Sequence, residues 1–136
     1  MKTPGWEKRL HHEIEAAREK PFQWGTHDCC MWVAHMIKIL SGRELGQAFR
    51  GQYHDQAGAH ALIDQHWDGS LTELVSSFLG EAKAVAYACR GDVVLYDSDN
   101  MTGLGICVDH RAAFLHPEKG LALVKISRCA KAWSVS

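Results

Sequence analysis

Trp24-Gly25-Thr26-His27-Asp28-Cys29-Cys30-Met31-Trp32-Val33-Ala34-His35-Met36-Ile37-Lys38-Ile39-Leu40 is the stretch on which the fold turns. Phe22 to His27 reads as a turn-rich loop. Asp28 then stands where a helix needs an acceptor for its first unpaired N–H groups. From Cys29 to Leu40 apolar residues occupy almost every side of the helix, so it should be central and buried rather than laid on a surface. Ser41-Gly42 stops it.

Before this helix, Trp6, Leu10, Ile14 and Ala17 recur at helical spacing among charged residues, which predicts an amphipathic helix over residues 5–19, ended by Lys20-Pro21. After it, residues 43–53 suggest a short helical piece ending at Arg50-Gly51. A third helix is expected over 55–66, with Ala59, Leu62, Ile63 and His66 on one face. Asp68-Gly69-Ser70 is a turn, and Ser70 with Glu73 forms a capping box for a fourth helix closed by Gly80.

Beyond Gly80 the period changes to that of strands. Ala84–Ala88, Asp92–Tyr96, Gly103–Val108, Ala112–Leu115 and Leu121–Ile126 read as short strands, with turn clusters at residues 97–100 and 117–120. Helices first and strands second predict an α+β fold, helices packed on an antiparallel sheet, in a single domain over residues 1–136 with a helical part (1–80) and a strand part (81–136).

Hydrophobic residues make up 46% and charged residues 23% of the chain, and five tryptophans supply bulk for one core. The net charge of −1 gives no electrostatic basis for nucleic acid or an anionic membrane as partner. No stretch reaches the roughly 20 apolar residues of a membrane span. Met1 to Trp6 turns polar at once, so the expectation is synthesis in the cytoplasm without a signal peptide, and departure only inside a larger particle. The odd count of five cysteines, Cys29, Cys30, Cys89, Cys107 and Cys129, reads as reduced thiols.

Chemistry gathers at two places. A helix N-terminus favours an anion, so Cys29 sits where a thiol is driven toward its thiolate, although a free cysteine is more often a small buried hydrophobe. Downstream, Gly91-Asp92-Val93-Val94, Gly103-Leu104-Gly105-Ile106 and Phe114-Leu115-His116-Pro117 follow one another on consecutive strands. Together with Trp24-Gly25 leading into Asp28-Cys29, they resemble the NlpC-type cell-wall peptidases, a branch of the papain-like superfamily. The likeness covers roughly residues 22–40 and 90–117. The N-terminal helix, Arg50-Gly51-Gln52-Tyr53 and Ala132-Trp133 look like a compact phage-encoded branch found near tail-assembly genes.

The resemblance implies Cys29 as nucleophile, Asp28 and Trp24 as positioning and oxyanion-side groups, and the Cys29 backbone N–H as an oxyanion donor. It implies a peptidoglycan stem peptide as substrate, phage tail-tip proteins as partners, a virion tail as location, and no cofactor or metal. The family's base histidine opens the second motif strand, where this chain has Gly103. His116, on the family's third, orienting position, is the first candidate to replace it; His110 and His27 are the others. His27, Cys29, Cys30 and His35 lack the spacing of a zinc site. His11, His12 and His54 read as solvated, and His60 and His66 as partly buried.

Two functions follow. One is a cysteine amidase or endopeptidase acting on the cell wall. The other is a catalytically inactive structural or assembly component of a tail tip, with Trp6, Trp67 or Trp133 docking to neighbours.

Overall fold

The computed structural model describes residues 2–98 and 102–135. Four helices come first: α1 (Trp6–Glu19), α2 (Cys29–Ser41), α3 (Gln56–Trp67) and α4 (Leu71–Leu79). Five strands follow: β1 (Val93–Asp97), β2 (Thr102–Cys107), β3 (Arg111–His116), β4 (Gly120–Lys125) and β5 (Lys131–Trp133). They form one antiparallel sheet in the order β4-β3-β2-β1-β5. The α+β class read from the sequence is the class observed. Of the turn cluster at 97–100, Asp99 and Asn100 lie outside the described residues.

Helix α2 is the axis of the packing. Seven of its side chains, from Met31 to Leu40, are buried, and only His35 and Lys38 are exposed. Alternation along the strands divides the sheet into two faces. Val93, Leu95, Leu104, Ile106, Ala113 and Leu115 point into the core shared with α1, α2 and α4. Val94, Cys107, Ala112, Phe114 and Ala132 form a smaller cluster on the opposite face. Gly105 is required between β2 and β3: a Cβ there would lie 2.5 Å from the Ala113 carbonyl oxygen and 2.7 Å from the Phe114 ring.

Three expectations need correction. Residues 84–88 are not a strand; Val85–Tyr87 is a single 3-10 turn. The edge of the sheet beside β1 is taken by β5, which sequence periodicity did not single out. The earlier segment keeps one bridge, Lys83 to Ala132, and then folds over the second face, where Val85 and Ala88 pack. The expected helical piece in 43–53 shrinks to a 3-10 turn, Gly46–Ala48. His60 and His66 are exposed rather than partly buried, because α3 turns them outward.

The docking role expected of Trp133 also fails. Its side chain is fully buried, and its indole N–H donates to Ser76 Oγ at 3.1 Å. Trp67 is half-buried against Phe49 and Phe78 and donates to Ser77 Oγ. Trp6 is half-buried under the Lys2 ammonium, 5.1 Å from the ring centroid. All five cysteines are free thiols. Among the described residues, no helix is long and apolar enough to cross a membrane.

Candidate functional site

The site is built around the first turn of α2. Asp28 is the N-cap and is 1% exposed. Its Oδ1 accepts from the Met31 backbone N–H at 2.9 Å, as a cap should. Its Oδ2 accepts from the Gly25 N–H at 2.8 Å and from the Tyr53 hydroxyl at 2.6 Å. All three donors are fully used in holding the loop, the helix start and the 50–53 segment together. Asp28 is therefore a positioning group; as a carboxylate it cannot itself stabilise an oxyanion.

Tyr53 is the residue that sequence reasoning missed. Nothing in the spacing of Arg50-Gly51-Gln52-Tyr53 connects it to Asp28. Burial first, and then its bond to the Asp28 carboxylate, push the phenol's pKa far above the ordinary value, so it stays a donor. Gly25 is explained by the same junction. Its φ is +85°, and a Cβ there would run into the Tyr53 carbonyl oxygen at 2.2 Å.

Capping by Asp28 places Cys29 at the first helical position, half-buried at the foot of a cleft of about 770 Å³. The Cys30 thiol, acting as donor, holds Cys29 below the usual thiol range. Burial opposes this, and hydrogen bonding from the Leu104 backbone N–H adds to it, whereas the Asp28 charge works against it. Cys30 is shifted well upward by the same pairing and by burial. The pairing with Cys30 and the Leu104 N–H thus moves Cys29 in the direction of its thiolate.

The structure brings Trp24, Asp28, Cys29 and His116 to this one cleft. Trp24 stands edge-on to Phe22, ring centroids 4.9 Å apart, on its wall. Gly103, which the resemblance sets where a base histidine is expected, also lines the cleft. The β2–β3 ladder runs from Cys107–Ala112 to Gly105–Phe114, and Gly103 and His116, each two residues beyond its end, both line the cleft. His116 is half-buried, and its Nδ1 accepts from the backbone N–H groups of Glu118 at 3.0 Å and Lys119 at 3.1 Å.

The other two histidines are elsewhere. His110 lies beyond β2, six residues before His116 and so roughly 20 Å away along the sheet. It is largely exposed and sits 3.5 Å from the Asp109 carboxylate. His27 does not line the cleft. Burial and the nearby Lys20 charge lower its pKa, and its Nε2 is enclosed without a protein partner. His35 is engaged with Glu13 at 2.9 Å. Among the described residues no three metal-ligating side chains converge.

A family model described as a domain of unknown function, DUF6950, matches residues 1–135. No curated protein gave a match. A solved structure of the NlpC/p60 domain of the peptidoglycan hydrolase SagA superposes with a TM-score of 0.60 at 15% identity, covering 94% of this chain and 97% of that one. At that identity the likeness shows the fold alone: the chain folds as that NlpC/p60 domain does.

Proposed function

The chain belongs to the DUF6950 family, and we propose that it is a cysteine amidase or endopeptidase of the cell wall with Cys29 as its nucleophile. One observation carries this reading: a thiol at the start of a buried helix, opening into a cleft and held toward its thiolate by neighbouring donors. The Cys29 sulfur would attack an amide carbonyl carbon. The C–N bond breaks as the amine leaves with a proton from solvent. Water then hydrolyses the thioester to a carboxylate and restores the thiol.

Peptidoglycan stem peptides are the substrate class, supported by the likeness in fold to the SagA domain, which belongs to a peptidoglycan hydrolase. The sequence likeness to compact phage-encoded relatives supports a tail tip as the place of action, with tail-tip proteins as partners, after synthesis in the cytoplasm. Detection of the chain in purified virions tests that part separately.

The central test is digestion of purified peptidoglycan sacculi, following newly released amino groups. Cys29→Ala should abolish release, and iodoacetamide should modify Cys29 rapidly at about pH 6. A second reading is favoured by Gly103 at the family's base position: a scaffold that has lost the chemistry. Slow alkylation, no release of amino groups, and normal particle assembly with Cys29→Ala would select it.

A further inference from the structure

The hairpin joining β3 to β4 determines which nitrogen of His116 can act. His116 pairs with Gly120 across the hairpin mouth, and Pro117 opens the loop between them. Two backbone N–H groups of that loop, those of Glu118 and Lys119, converge on His116 Nδ1 at 3.0 and 3.1 Å. A backbone N–H can only donate. Nδ1 therefore must be an unprotonated acceptor while both bonds stand, and the single proton of the neutral ring resides on Nε2. Turning the ring over would put a carbon against both N–H groups, so the two donors themselves identify the ring atom they meet as Nδ1. Nε2 makes no hydrogen bond to any described residue, and the side chain borders the cleft that holds Cys29.

We infer that His116 serves the Cys29 reaction as a hydrogen-bond donor through Nε2–H, holding the oxygen of the attacked carbonyl, and not as the base that ionises the thiol. This rests on the hydrolase reading. A general base must offer an unprotonated nitrogen to the proton it takes. In His116 that nitrogen is turned into its own hairpin loop, and the other already carries hydrogen. The same arrangement suits a growing oxyanion, which needs a donor that is placed before the reaction begins. It also fits Gly103, since a chain whose thiolate is supported by Cys30 and Leu104 can work without an imidazole at that position.

Glutamine separates the two roles. Its side chain offers both an accepting oxygen and a donating N–H, but it cannot take up a proton at neutral pH. If His116 donates, His116→Ala should lower cleavage of purified sacculi by about 100-fold, and His116→Gln should recover at least about tenfold of that loss. The pH midpoint of Cys29 alkylation should stay where it is in both variants. The inference is overturned if His116→Gln is as inactive as His116→Ala, or if the alkylation midpoint rises in both, as loss of a base or ion-pair partner would require.

The tautomer is measurable without any turnover. Two-bond proton–nitrogen spectra of the labelled wild-type chain at neutral pH, with His116 assigned by its loss in His116→Gln, should show an acceptor-type Nδ1 and a protonated Nε2. A proton on Nδ1 sinks the inference. If no cleavage is found and Cys29→Ala changes nothing, the hydrolase reading falls, and the catalytic role inferred for His116 falls with it even where the spectrum shows Nε2–H.

Discussion

Asp28 carries more of this site than its place in the sequence suggests. As an N-cap it was legible, because a carboxylate before an apolar run has a local meaning. Its second role was not, because the donor, Tyr53, is 25 positions away and meets it only in the folded chain. A hydrogen bond from a neutral hydroxyl to a buried carboxylate contributes about 2 kcal/mol. Tyr53→Phe should lower stability by that amount in urea unfolding. The Asp28 charge already pushes the Cys29 pKa upward. With less of that charge compensated, the alkylation midpoint of Cys29 should move to higher pH. An unchanged midpoint with lowered stability would confine Tyr53 to a structural role.

Among the elements, the start of β1 depends on a contact that no periodicity announces. Asp92, 2% exposed, accepts from the Cys89 N–H at 2.7 Å and meets the Lys83 ammonium, also at 2.7 Å. The same ammonium donates to Ser134 Oγ at 2.8 Å, and the Lys83 backbone bridges to Ala132. One lysine thus joins the segment before the sheet, the first strand and the last. Removing one partner leaves a buried charge uncompensated, which costs about 3 kcal/mol or more. Lys83→Met should show this loss by urea unfolding, while Lys131→Met, an exposed position on the neighbouring strand, should change stability by less than about 0.5 kcal/mol. Ala84–Ala88 has the periodicity of a strand and is not one for the same reason. Its composition suits a strand, but the place beside β1 goes to whichever segment the ladder reaches, and β5 reaches it.

On the scale of the molecule, one core joins α1, α2 and α4 to β1, β2, β3 and β5. The helical and strand parts therefore depend on each other. Unfolding in urea followed by tryptophan fluorescence and by far-ultraviolet circular dichroism should give superimposable transitions; two separated transitions would mean two independent units. The sequence by itself determined the buried helix that begins at Cys29, its cap, the order of helices before strands, and Gly103, where the family resemblance leads one to expect a histidine. Each of these is set by neighbours within a turn or two, or by a residue's identity alone. Only the tertiary structure decided that Tyr53 closes on Asp28, that β5 completes the sheet, that His110 and His27 stand away from the cleft, and that His116 turns Nδ1 into its own hairpin. Those depend on where distant backbone groups come to rest and which way a ring faces, and side-chain periodicity carries neither.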